Sequence, residues 1–219
     1  MLGGFDFKVI FDNIGFLVEG MQTTFLLTIV AILGGLVLGT LLALARLSPF
    51  KPLSFFAGTY VNFFRSMPLI LVIFWFYFLV PHIVGHPVGG FQSVLVAFIL
   101  FEAAYYCEIM RAGIQSVRKG QVYAGQALGL TYAQNMRYIV LPQAFRNMVP
   151  ILLTQAIILF QDTSLVYVVG VKDFLVSADL IANRENRILE MFTVAALVYL
   201  VFCLMGSFII RRLQRKYAT

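Results

Sequence analysis

The chain alternates between long runs almost free of charge and short segments crowded with charge, proline and glycine. Residues 20–45 carry no charged side chain, and Arg46, Pro49, Lys51 and Pro52 close the run. A helix of that length, at about 1.5 Å per residue, exceeds the roughly 30 Å of a bilayer's hydrocarbon. Arg65, Ser66 and Pro68 open a second run that reaches Leu79, and Pro81, Gly85, Pro87, Gly89 and Gly90 form a turn after it. A third run covers 91–110, interrupted by Glu102 and Glu108; a fourth, 147–169, contains Asp162. The last, 191–210, ends at Arg211, Arg212, Arg215 and Lys216. The pattern predicts an all-α polytopic membrane protein, a single domain over 1–219. Its five spans fall at about 20–45, 66–80, 91–112, 146–169 and 189–210. The first apolar segment follows no basic n-region and cleavage site, so it reads as a retained span.

Composition agrees with the pattern. Hydrophobic residues make up 61% of the chain, charged residues only 12%, and the mean hydropathy is +0.90. Soluble domains are about half apolar and a quarter charged, so this surplus must face lipid. The net charge of +6 is distributed by side. Arg46, Lys51, Arg65, Arg111, Arg118, Lys119, Arg137, Arg146 and the C-terminal cations share one side, while only Lys8, Lys172, Arg184 and Arg187 share the other. The acids Asp6, Asp12, Glu19, Asp173, Asp179, Glu185 and Glu190 gather opposite the main basic side. Basic loops stay in the cytoplasm, which predicts an outer N-terminus and a cytoplasmic C-terminus. The positive charge belongs to topology and anionic headgroups, not to nucleic acid. Cys107 and Cys203 lie in apolar runs without CxxC spacing and read as core hydrophobes. His82 and His86 read as loop polarity, so neither a metal nor a cofactor is expected.

In the first span, Gly35 and Gly39 form a small-xxx-small pair that lets another helix approach closely. The segment between spans three and four, about 117–142, is far longer than a bare connection needs. Residues 121–128 suit a helix, Gly129 breaks it, and Thr131 can N-cap a second short helix over 132–140, which Pro142 ends. A rigid cytoplasmic knob and an amphipathic helix lying on the bilayer both fit this pattern. Glu102, Glu108 and Asp162 are costly in lipid and must face protein or water. Glu108 and Arg111 are spaced i, i+3, which suits a structural ion pair. Asp162, Thr163 and Ser164 form a hydroxyl–carboxylate cluster suited to either a translocation path or a structural hydrogen-bond role.

The connecting segment resembles the EAA motif of permease subunits of ATP-binding-cassette importers. Tyr123, Ala124, Gly125 and Gly129 are followed at the motif's spacing by Ile139, Leu141 and Pro142. Tyr123 stands where the motif has glutamate, and Gly125 where it has a second alanine. Phe64-Arg65-Ser66-Met67-Pro68-Leu69, Tyr105-Tyr106-Cys107-Glu108-Ile109-Met110-Arg111-Ala112-Gly113 and Gln161-Asp162-Thr163-Ser164-Leu165 resemble segments of the polar amino-acid branch, closest to the glutamate/aspartate permease subunits. The resemblance implies a type I importer transmembrane domain in a bacterial inner membrane. It implies a second permease subunit, a different homologous chain, together with two ATPase subunits and an extracytoplasmic amino-acid-binding protein. The seven motif residues would contact the ATPase. Glu102, Gln161, Asp162, Thr163 and Ser164 would be candidates for the path. The chain would not be an enzyme, and no GxxxxGK[ST] loop occurs in it. Because this chain has no cation at mid-membrane, the side-chain carboxylate of an acidic substrate is expected to be held mainly by the other permease subunit or by backbone dipoles.

Two other substrate assignments stay open within that class, glutamine and the arginine or histidine type. From outside it come an ion channel or exchanger using the three membrane carboxylates, and a membrane enzyme. No nucleophile–base pair supports the last.

Overall fold

A computed structural model of the chain describes residues 7–86 and 88–217, with side chains to 214. The readings that rest on Asp6, Pro87 and the side chains of Arg215 and Lys216 lie outside it. A short α1 (Lys8–Asp12) leads into α2 (Ile14–Leu47), α3 (Lys51–Arg65), α4 (Leu69–Phe74), α5 (Val80–Val84) and α6 (Gly90–Gln115). Two small helices follow, α7 (Lys119–Ala127) and α8 (Tyr132–Asn135), then α9 (Leu141–Asp162), α10 (Phe174–Glu185) and α11 (Ile188–Tyr217). Four helical stretches are long and apolar enough to cross a membrane: Ile14–Leu47, Gly90–Gln115, Tyr132–Val169 and Ile188–Gln214. A fifth arises if the bent pair Lys51–Arg65 and Leu69–Val84 counts as one.

That pair bends by 104° at Ser66–Met67–Pro68. Pro68 lacks an N–H and biases Met67 away from the helical region, so the helix stops there and restarts. The helical nature of 51–65 was not expected. Its buried side, Ala57, Val61 and Phe64, packs on the bundle, while Phe55, Phe56 and Phe63 face outward.

The helix α6 is the hub. Leu27, Ala31, Val61, Val72, Ala97, Phe98 and Cys107 all lie fully buried around it. The glycine pair explains how α2 comes so near. A Cβ on Gly35 would stand 3.0 Å from the Cβ of Glu102, and one on Gly39 would stand 2.9 Å from the Ala103 carbonyl. No larger residue fits that seam without displacing backbone.

Pro142 does not end the coupling segment. Helix continues from Tyr132 to Val169 through a π-turn at Met136–Val140. A proline ring collides with the carbonyl four residues back, here that of Tyr138, and cannot donate to it. Widening the turn around Tyr138 removes the conflict without breaking the rod. The same device recurs at Pro81, preceded by the π-turn Trp75–Leu79.

The candidate coupling elbow and membrane carboxylates

The helices α7 and α8 fold back on each other through Gly129. That glycine sits at φ +80° with open space where a Cβ would be. Its N–H donates to the Gln126 carbonyl at 2.9 Å, and the Leu130 N–H donates to the Gly125 carbonyl at 3.1 Å. These are the two bonds of a Schellman C-cap, which needs a left-handed residue at its turn. Thr131 then starts α8 with a capping box: its Oγ1 accepts from the Gln134 N–H at 3.3 Å, while Gln134 Oε1 accepts from the Thr131 N–H at 2.9 Å.

Two interior contacts lock the elbow. Gly125 is buried against α8 and the π-turn; a Cβ there would meet Ile139 Cδ1 at 2.6 Å and Asn135 Oδ1 at 2.7 Å. Asn135 is buried and donates to the Val122 carbonyl at 2.8 Å. Sequence reasoning missed Asn135, although a polar residue on the inner side of so short a helix was a usable signal. The tip is apolar yet open to solvent: Leu128 and Tyr132 are 81% and 80% exposed, with Tyr123 and Tyr138 also outward. Ala124, Leu141 and Pro142 are exposed as well, and Ile139 is half-buried under Gly125. The seven motif residues therefore divide into an outer set and an inner pair, Gly125 and Ile139. The elbow is a compact two-helix knob held by these interior contacts.

Within the bundle, Glu102 is fully buried. Its two carboxylate oxygens each lie 3.2 Å from Nε2 of Gln155, on α9. Gln155 was not singled out in the sequence, because nothing local marks a glutamine 53 residues away as the partner. Glu108 meets Arg111 as the i, i+3 spacing suggests, and also Arg46 Nη1 from α2 at 2.6 Å, with Arg65 Nη1 from α3 at 3.8 Å. One carboxylate thus ties the ends of three helices.

The expected cluster of Asp162, Thr163 and Ser164 does not form. Thr163 donates to the Phe160 carbonyl and Ser164 to that of Gln161, each at 2.7 Å, because α9 tightens into a 3-10 helix over Thr163–Val169. Asp162 hydrogen-bonds to no side chain among the described residues and is half-buried. Gln161 Nε2 reaches the sulfur of Cys203 at 3.3 Å.

A bundle of membrane-length helices carrying one capped two-helix knob defines a class: a polytopic membrane subunit with a structured segment outside its apolar helices. Residues 35–219 match the model of the binding-protein-dependent transport system inner membrane component. The chain belongs to that family, and it has the type I ABC importer permease fold. The glutamate/aspartate import permease protein GltK of Escherichia coli is 47% identical over 98% of this chain and 99% of its own length. The probable glutamine ABC transporter permease protein GlnM of Bacillus subtilis is 37% identical over 96% and 99%. The crystal structure of an amino acid ABC transporter with histidines superposes with a TM-score of 0.93 at 30% identity, covering 98% of this chain and 100% of that one. Family membership replaces the channel and enzyme readings.

Proposed function

We propose that this chain is a permease subunit of an ABC importer for acidic amino acids, glutamate and aspartate. The observation that carries the coupling part of this reading is the elbow: a locked two-helix knob whose exposed face is apolar. Such a face is suited to a groove on another protein. In this reading the knob sits on an ATPase subunit, which hydrolyses ATP, and the chain itself is not catalytic. Closure of the ATPase pair draws two knobs together. The rod 132–169 is continuous with the knob, so the stroke enters the bundle without a flexible joint, and the spans rock between inward and outward states.

The second permease subunit is a different homologous chain, and an extracytoplasmic binding protein delivers the substrate to the outer side. The N-terminus lies outside and the C-terminus in the cytoplasm, in keeping with the excess of arginine and lysine on the elbow's side. The higher identity to GltK than to GlnM favours an acidic substrate over glutamine.

The test is reconstitution of the whole complex in vesicles with its binding protein loaded with glutamate, aspartate or glutamine in turn. Glutamate and aspartate should stimulate ATP hydrolysis and uptake most. Stimulation by glutamine alone would change the substrate and keep the machine. Lack of stimulation by any amino acid would sink the proposal.

A further inference from the structure

Arg65 closes α3 just before the break at Ser66–Pro68. Its two arginine neighbours already satisfy Glu108. Arg46 Nη1 lies 2.6 Å from Oε2, Arg111 Nε lies 3.2 Å from the same oxygen, and Arg111 Nη2 sits on Oε1. Arg65 Nη1, at 3.8 Å from Oε2, is outside hydrogen-bond reach. Three guanidinium groups therefore share one carboxylate, and the Arg65 side chain is the most exposed of the three, 39% against 21% and 25%.

The Arg65 guanidinium lies over the ring of Tyr105, 5.6 Å from its centroid. The charged groups that bear on Tyr105 are Arg65, Glu102 and Asp162. The ring thus lies against the under-neutralised arginine, three residues along α6 from Glu102. A guanidinium is a planar fork that takes a carboxylate through two parallel hydrogen bonds, and in poorly solvated surroundings an excess cation gains from such a partner. An acidic amino acid brings that group and meets repulsion from Glu102 and Asp162.

We propose that Arg65 is the residue of this chain that receives a carboxylate of the transported amino acid at the elbow end of the bundle. This rests on the reading as an acidic amino-acid importer, and it moves part of the substrate's recognition from the other permease subunit to this one. Arg46 and Arg111 take the hydrogen bonds of Glu108, so Arg65 keeps only the longer ion pair to it and can turn its N–H groups to the substrate, and Tyr105 gives the guanidinium a fixed plane. Because Arg65 borders the 104° bend, any change at the bend repositions it, so the hold can be made and released within one cycle.

The test uses Ser66→Cys, exposed and next to Arg65, in a Cys203→Ser background, since Cys107 is buried, assembled with both partner types in vesicles. The probe is the cationic thiol reagent methanethiosulfonate ethylammonium. Millimolar glutamate should slow modification at least fivefold, equally in phosphatidylcholine vesicles and in vesicles one-third phosphatidylglycerol, and should lose that effect once Arg65→Ala is added. A rate indifferent to glutamate with Arg65 in place overturns the proposal, and so does protection that survives Arg65→Ala. So does a slowing that follows phosphatidylglycerol, which would assign the arginine to lipid phosphate. Should the cysteine variant fail to assemble, Arg65→Lys decides: KM for glutamate uptake should rise at least fivefold, and an unchanged KM overturns the proposal. Wild-type uptake of glutamate alongside an unprotected cysteine rejects only the role of Arg65. Absence of wild-type uptake rejects the importer reading itself.

Discussion

Substitution of Gly129 separates backbone conformation from packing in the elbow. At φ +80° an L-residue with a Cβ is strained, yet nothing lies within 4 Å of where that Cβ would go. The penalty is therefore conformational, about 1–3 kcal/mol for an ordinary residue, more for a β-branched one and less for asparagine. Relaxing to a negative φ would break the Gly129–Gln126 and Leu130–Gly125 bonds, so the chain cannot escape without undoing the cap. A cost of 1–3 kcal/mol converts to roughly 5- to 150-fold fewer correctly bent elbows. Uptake by the reconstituted complex should fall in the order Gly129→Asn, Gly129→Ala, Gly129→Val, with the last nearly inactive. Membrane insertion should be unaffected, because the elbow lies outside the apolar runs. Amide hydrogen exchange over 119–135 should speed up in the same order. The reasoning is refuted if Gly129→Val transports like the parent, or if asparagine is as damaging as valine. The second result would mean that space, not φ, is what the site demands.

Gln155→Leu should destabilise the bundle by about 1–3 kcal/mol, because it leaves the buried Glu102 carboxyl group without its donor; thermal unfolding of the purified complex reads it, and Glu102→Gln, which keeps an oxygen that Gln155 can reach, should cost less. Gly39→Leu places a Cβ 2.8 Å from that of Tyr106 and 2.9 Å from the Ala103 carbonyl, so α2 must move off α6, and the yield of assembled complex on size exclusion should collapse while Gly15→Leu, in open space, changes little. Outside the spans, burial pushes the Asp173 carboxyl at the start of α10 up to about 6 from an ordinary 3.8. The folded chain then holds that proton more tightly than the unfolded one, so this contribution to stability is full below about pH 4 and is lost as pH rises through 6. Asp173→Asn should flatten that part of the stability–pH curve, and an unchanged slope would show that another group sets it.

The sequence by itself determined what depends on near neighbours and on solvent preference. Uncharged runs of membrane length mark lipid-facing helices wherever they pack, because no soluble arrangement hides them. The elbow was legible for a similar reason. A left-handed C-cap at Gly129 and an N-cap at Thr131 are completed within a few residues, so residue type and spacing suffice to specify them, although the return bond from Gln134 was not read. Tertiary structure alone decided the partners. Glu102 and Gln155 meet only because α6 and α9 turn those faces together. Glu108 collects Arg46 and Arg65 as well as its sequence neighbour Arg111 because three helix ends converge there. The 132–169 rod also survives Pro142, which a local rule reads as a stop, because a widened turn relieves the clash. Helix formation is a local contest, whereas which buried charge finds which donor is fixed by the relative rotation of packed helices, and no short stretch of chain records that.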